Sequence, residues 1–354
     1  MIHGSLGTYD LWVIRPTSQK AMYSSLTRRG FLKLSGAAIA AFGFPLYPPG
    51  GNPYLMTPSL RLGRTTRSLR YYQNPTYSSE ELGFYNTDSV VQIYEERIGE
   101  HKWEQNPIWF KTDDGWINST HVQPVRREIN KPVLDIPKGG MLVEVTVPYT
   151  QAWLADDERR KRSYRYYYGS THWVYYAFRS SNGNIWYRVL DDRSNKSHLV
   201  LGQHMRPITP EELAPISPNV KNKHLEVDLT NQKVTAYQND RPVYGARIAS
   251  GYFEGTTPLG EFKVERKQPS RHMAARTEES EFDLPGVPWV CYISWTGVSL
   301  HGTYWHNNYG TPQSHGCINL SPEAAKWVYR WTKPFVAIDD DYQSSDRGTK
   351  VVIF

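Results

Sequence analysis

Residues 299–323 read SLHGTYWHNNYGTPQSHGCINLSPE and hold three of the chain's eleven histidines and one of its two cysteines. Three chemistries fit such a stretch: a metal cluster, half of a disulfide, or a nucleophile with its base. A thiol attacks a carbonyl only as the thiolate, so Cys317 needs a neighbour that lowers its pKa or takes its proton. His301, Ser314 and His315 are the polar neighbours in sequence. His301 ends the strand-like run GVSL, and it faces Cys317 if the intervening residues loop back. A base of this kind needs its other ring nitrogen held by an acceptor, and the carbonyl of Gly302 is placed for that. Gly316 lets the backbone pass close beside a reacting carbon. Backbone N–H groups around Cys317 then form an oxyanion hole, worth about 3 kcal/mol per donor. Zinc on His301, His306, His315 and Cys317 is the competing reading, but their spacing matches no standard zinc framework.

His301-Gly-Thr followed by Ser314-His-Gly-Cys-Ile-Asn319 resembles the signature of the L,D-transpeptidases, a histidine followed by Ser/Thr-His-Gly-Cys-x-Asn/Arg, here with fifteen residues between His301 and Cys317. The segments VDLTNQKVTAYQND and GTTPLGEFKV and the closing SPEAAKWVYRW are similar to that family's opening hairpin, its Thr-Pro-x-Gly-x-Phe turn and its final helix. The resemblance implies Cys317 as nucleophile, His301 as its base and Gly302 as the carbonyl orienting the base. His315, Gly316 and Ser314 would support the intermediate, and Asn319 would shape the site. It further implies peptidoglycan stem peptides as substrates. The cysteine would release a terminal D-Ala through a thioester, and an amine of a second stem would resolve it as a 3→3 cross-link. Water in place of that amine gives an L,D-carboxypeptidase, and wall-protein attachment is a further variant. A reading from another class is a cell-wall-binding module with a vestigial catalytic domain; the presence of every motif residue argues against it. No metal or organic cofactor is implied, and carbapenem-type inhibitors are expected on Cys317.

Around this centre, Tyr292, Trp295, Tyr304 and Tyr309 are candidates for the substrate cleft, whereas Trp305 is expected to pack. Residues 267–288, charged and interrupted by Pro and Gly, fall where the family places a flap, and their weak strand period suits a mobile lid. His272 within it is expected to be a solvated loop histidine. Cys291 lies in the strand-like WVCYISW, which by the family match runs near the site. It is expected to be a buried thiol, with a disulfide to Cys317 as the alternative that would silence the nucleophile.

The elements that must hold these residues are mainly β. In residues 222–354, Leu225, Val227 and Leu229 alternate with polar residues and turns follow at TNQ and QND, which describes a β-meander. One main helix is expected after the cap Ser321 and Pro322, over EAAKWVYRW. Upstream, NPIWFKTDDGWINSTHVQPV and GNIWYRVLDDRSNKSHLVLGQHMRPI form a diverged internal repeat. Short alternating strands surround both copies, and two small β-barrels resembling bacterial SH3-like domains are expected at 62–127 and 138–209. Residues 210–221 read as a Pro-rich linker, and DDERRKR from Asp156 as a solvated loop.

The formal charge is +6, of which residues 1–50 carry +4 and residues 221–354 none, so nothing marks a nucleic-acid footprint on the folded part. TRRGFLKLSGAAIAAFGF places Arg28 and Arg29 before a short apolar run and resembles a twin-arginine export signal, expected over residues 1–46 with a linker at 47–61. Met22 would give that signal a compact lead and is a candidate true start. The run is too short for a span of about 20 residues. Membrane contact is therefore expected only through an uncleaved signal, and the cell envelope is the expected location.

Overall fold

Alternating apolar residues build the architecture strand by strand. In the strand Lys223–Asp228 every second residue is buried, and in Lys233–Gln238 Val234 and Ala236 do the same from the partner strand. Each fully buried Val or Leu side chain among them contributes about 1.5–3 kcal/mol. The computed structural model describes residues 61–102, 105–157, 161–276, 281–338 and 340–354. The segment expected to be an export signal and nearly all of the expected linker lie outside them. All described residues belong to one compact unit.

Among the described residues the chain forms three β regions in order. In the first, a three-stranded sheet with Arg61–Thr65 at its centre and a five-stranded sheet enclose Val91, Ile93, Phe110, Ile117 and Val122. The second is a seven-stranded antiparallel sheet from Met141 to Pro207 around Val143, Val145, Tyr166 and Tyr187. The two repeat copies follow the same path: strand, turn, strand, one 3-10 turn (Ser119–His121 or Gly202–His204), strand. Residues 210–221 are more than a linker. Thr209 and Glu212 make a capping box for the short helix Pro210–Leu213, and Leu213 joins the core of the third region.

The third region has two five-stranded sheets. One runs in the order Arg241–Arg247, Lys233–Gln238, Lys223–Asp228, Lys350–Ile353, Gly260–Lys263; the other in the order Ile318–Leu320, Ser299–Gly302, Glu281–Tyr292, Arg266–Arg276, Gln343–Ser344. Between them lies the largest core, closed by the helix Pro322–Trp331, which buries Ala324, Ala325, Val328, Tyr329 and Trp331 on one face. Ser321 accepts the Ala324 N–H at its N-terminus, a cap worth about 1 kcal/mol. At the other end the buried Lys267 ammonium donates to the carbonyls of Tyr329, Thr332 and Pro334, the last two at 3.0 and 2.7 Å. That satisfies carbonyls which the helix leaves open, at the negative end of its dipole. Burial pushes Lys267 down to about 8.

The weak strand period expected at 267–288 does not hold. Most of that stretch is an antiparallel hairpin, Arg266–Arg276 with Glu281–Tyr292, whose base is embedded in the core. Its polar residues obscure the strand period because they meet polar partners on the second region. Thr171 Oγ1 donates to the Pro269 carbonyl (2.7 Å), Ser270 Oγ donates to the Thr171 carbonyl (2.5 Å), and Arg271 pairs with Asp192 (2.6 Å). His272 is likewise not solvated. It is buried, with Nδ1 at 2.5 Å from Asp191 and Nε2 on Asp283. An imidazole bonded to a carboxylate at each nitrogen donates at both and is charged. Burial alone would lower its pKa, but the two carboxylates outweigh it and the pKa is raised.

Candidate active site

The strands Ser299–Gly302 and Ile318–Leu320 run parallel, with Leu300 opposite Ile318 and His301 opposite Asn319. A parallel pair needs a long crossover, and residues 303–317 supply it. Continuing the register by one pair places Cys317 across from Ser299. Side chains alternate between faces, so Ser299, His301, Cys317 and Asn319 share one face while Leu300, Ile318 and Leu320 point into the core. The nucleophile and base candidates thus meet because both strands obey a period of two.

His301 is buried and its Nδ1 lies 3.1 Å from the Gly302 carbonyl. A carbonyl only accepts, so Nδ1 carries the proton and Nε2 is left as the basic nitrogen facing the thiol. Cys317 is partly accessible, with Ser299 Oγ at 3.6 Å and the Gly297 carbonyl at 3.7 Å from Sγ. Burial pushes this thiol up, but the hydrogen bond and charge of His301, aided by Ser299, outweigh it and hold the pKa below the ordinary thiol value.

The turn before Cys317 is tightly held. Ser314 Oγ donates to the Cys317 carbonyl (2.5 Å) and accepts the Gly316 N–H (3.0 Å), so that N–H is not open to a substrate, contrary to a simple reading of the motif. Thr257 Oγ1 accepts the Gly251 N–H (2.8 Å) and donates to the Gly316 carbonyl (2.9 Å). Gly316 sits at φ +137°, and a Cβ there would lie 2.6 Å from the Thr256 carbonyl oxygen. His315 is exposed, and its ring stacks on Phe282 of the hairpin at 5.6 Å between centroids.

Of the four cleft candidates, Tyr292 pairs with Ser299 and so lies on the Cys317 face, under the Arg266 guanidinium at 4.0 Å from its ring. Trp295 is exposed beside the same guanidinium at 5.4 Å. Tyr304 is not in the cleft. It is buried against Tyr167 (5.4 Å) and its hydroxyl donates to the Pro285 carbonyl (2.8 Å). Tyr309 also turns inward, its hydroxyl meeting Thr303 Oγ1 (2.6 Å) and the Leu320 carbonyl (3.1 Å). Trp305 packs with its ring 5.8 Å from the His301 ring. Asn319 Nδ2 is placed 2.9 Å from His306 Nε2, while the Asn308 N–H donates to His306 Nδ1 (3.1 Å). Neutral His306 then carries its proton on Nε2, so the Asn319 side-chain amide turns Oδ1 rather than Nδ2 toward it as the matching acceptor. Burial holds His306 down to about 3, and it is neutral. Among the described residues no three His, Cys, Asp or Glu side chains converge as metal ligands.

Cys291 pairs with Leu300 and shares its inward face. Its thiol rests 3.7 Å from Thr332 Oγ1, and both cysteines are free. Alternation therefore puts Cys291 and Cys317 on opposite faces of the sheet, and the disulfide alternative does not apply to this arrangement. Sequence reasoning passed over Ser299, although its position two residues before His301 on a strand already implied a shared face. It also gave Thr257 no role at the site, although the Thr-Pro-x-Gly-x-Phe turn contains it; its contact with Gly316 forms only on folding.

The family model for the L,D-transpeptidase catalytic domain (YkuD) matches residues 222–353. Residues 222–353 are thus similar to the L,D-transpeptidase catalytic domain. L,D-transpeptidase 1 of Mycobacterium tuberculosis is 35% identical over 80 residues, 21% of this chain and 32% of that protein. Putative L,D-transpeptidase YciB of Bacillus subtilis is 27% identical over 133 residues, 32% of this chain and 63% of that protein. The chain thus spans less than two thirds of each of these relatives. Among solved structures, the Enterococcus faecium L,D-transpeptidase C442S mutant is 27% identical, covering 39% of this chain and 51% of that one with a TM-score of 0.31. The E. faecium catalytic domain acylated by ertapenem, also 27% identical, covers 38% of this chain and 98% of that one with a TM-score of 0.30.

Proposed function

We propose that the protein is a peptidoglycan L,D-transpeptidase that works through a Cys317 thioester. The observation that carries this is a partly accessible thiol held below its ordinary pKa by His301 inside a domain that matches the family. The Cys317 thiolate attacks the carbonyl that joins the stem's third residue to a terminal D-Ala. His301, protonated at Nε2 when the thiolate forms, gives that proton to the departing D-Ala amine. A thioester remains. The amine of a second stem then attacks it, loses a proton to His301, and leaves an amide cross-link and a free thiol. The Gly316 N–H is spent on Ser314, so the N–H groups of His315 and Cys317 are the candidates for holding the oxyanion.

In the same proposal the first two β regions are SH3-like, residues 1–46 direct export by the twin-arginine route, and the site of action is the cell envelope. Carbapenems are expected to acylate Cys317 for the same reason that a stem peptide does. The test is incubation of the full chain with a disaccharide-tetrapeptide and mass analysis of products. A dimer lacking one D-Ala supports transfer. Tripeptide alone replaces transfer with hydrolysis, and no turnover alongside binding to cell walls overturns the enzymatic reading.

A further inference from the structure

The crossover that joins His301 to Cys317 is held from outside its own domain. Arg64, in the central strand of the first region's three-stranded sheet, is 2% exposed, and its guanidinium Nη2 donates to the Tyr304 carbonyl at 2.5 Å across 240 residues of sequence. The rest of the guanidinium is fixed by the first and second regions. Nη1 binds Asp88 (2.7 Å), Nε and Nη2 bind Gln123 Oε1 (3.2 and 2.9 Å), and the Tyr167 ring stacks over the plane at 4.0 Å. Asp88 in turn takes Arg165 of the second region at 2.5 Å, and Gln123 Nε2 donates to the Tyr168 carbonyl (2.8 Å). Three residues further along the crossover the grip repeats. The Asn307 N–H donates to the Thr120 carbonyl (2.8 Å), and Asn106 Nδ2 donates to the Asn307 carbonyl (2.9 Å).

The peptide that Arg64 holds is the one joining Tyr304 to Trp305, and Trp305 carries the ring that packs beside the His301 imidazole. On the other side of His301, the Gly302 carbonyl fixes Nδ1, and Thr303 is anchored to the Leu320 carbonyl through its N–H (2.9 Å) and its hydroxyl (3.1 Å). His301 is therefore seated between an anchor inside the catalytic domain and an anchor supplied by Arg64. A planar guanidinium with a fixed fork suits this role, because it delivers several donors to three acceptors in one geometry. A buried charge retained for that purpose is costly unless it is paired and hydrogen-bonded, and here Asp88, Gln123 and Tyr304 accept from Nη1, Nε and Nη2.

We infer that Arg64 is a positioning residue of the active site: by clamping the Tyr304 carbonyl it holds Trp305 against His301, and thereby His301 against Cys317. The first β region is then part of the catalytic apparatus, a role that neither a spacer nor a separate binding module fills. This inference builds on the assignment of Cys317 and His301, but its test reads the thiol itself and not cross-linking. Failure here and failure of the transpeptidase reading are thus separate results.

The experiment is alkylation of Cys317 by iodoacetamide across pH in the full chain, with Arg64→Lys compared with Arg165→Gln. Lysine keeps the charge but cannot span Asp88, Gln123 and Tyr304 together. Arg165→Gln weakens the same Asp88 network without touching the crossover. Arg64→Lys is expected to slow alkylation at pH 7 at least fivefold and to move the reactivity midpoint upward. Arg165→Gln is expected to stay within twofold of wild type, whatever it loses in melting temperature. If Arg64→Lys reacts like wild type, or if both variants lose reactivity in step with stability, the positioning role is wrong. Should Arg64→Lys not fold, Asn106→Ala releases the crossover at Asn307. An unchanged alkylation profile in that folded variant overturns the proposal, and a slowed, upward-shifted one supports it.

Discussion

Replacing Gly316 by alanine perturbs the nucleophile through its neighbour's backbone. The added Cβ would lie 2.6 Å from the Thr256 carbonyl oxygen, about 0.8 Å inside ordinary contact at 3.4 Å. The obstacle is backbone and not the tip of a flexible side chain, so the turn itself has to move. The residue also sits at φ +137°, in a region that only glycine occupies readily, and forcing another residue there costs about 1–3 kcal/mol. Both strains fall one residue from Cys317, on a turn tied to Ser314 Oγ and Thr257 Oγ1. A displacement approaching 1 Å at reacting atoms costs about a hundredfold in rate. Gly316→Ala should therefore reduce D-Ala release about a hundredfold while circular dichroism remains that of the folded protein. Because Ser314 Oγ ties the Gly316 N–H to the Cys317 carbonyl, a shift of the turn is passed on to Cys317. A folded Gly316→Ala protein working within threefold of wild type would refute this reasoning.

Two other predictions follow from the charge arrangement. His301→Ala removes the group that lowers the Cys317 pKa, so the midpoint of alkylation against pH should rise to or above the ordinary thiol value of about 8.5; an unmoved midpoint would mean that His301 does not act on the thiol. The His272 clamp should weaken in base. Its folded pKa is raised, so its contribution is full below the ordinary imidazole value of about 6.5 and is lost as pH rises through the higher folded value. The groups facing it are Asp191, Asp192 and Asp283, with Tyr164, His172 and His198 nearby. Amide exchange in Glu281–Tyr292, corrected for intrinsic rate, should be faster at pH 9 than at pH 6, and His272→Gln should abolish the difference. Equal protection at both pH values would count against the clamp.

How much of this was legible in the sequence depended on how local the cause was. Cys317, His301 and Gly302 lie within seventeen residues, so their residue types and spacing raised the pairing and the resemblance to the family motif chose it over metal or disulfide. Helix Pro322–Trp331 was equally plain, since its cap, its proline and its apolar stripe are contiguous. The hairpin over 266–292 was obscured because its polar residues face polar partners. Asp191 and Asp192 stand about 80 residues upstream of His272, and without them a buried charged histidine reads as a solvated one. Tyr304 was misplaced for a similar reason. Nothing near it in sequence announces Tyr167 or Arg64, and an aromatic residue beside a catalytic histidine reads as a cleft wall until those partners occupy it.

The most direct test of the central claim is intact mass, followed by peptide mapping, of the full chain quenched during reaction with a tetrapeptide stem. The expected result is a covalent increment equal to the stem minus D-Ala, carried on the peptide containing Cys317 and absent from Cys317→Ala. An increment on another residue, or D-Ala release that persists in Cys317→Ala, would contradict it.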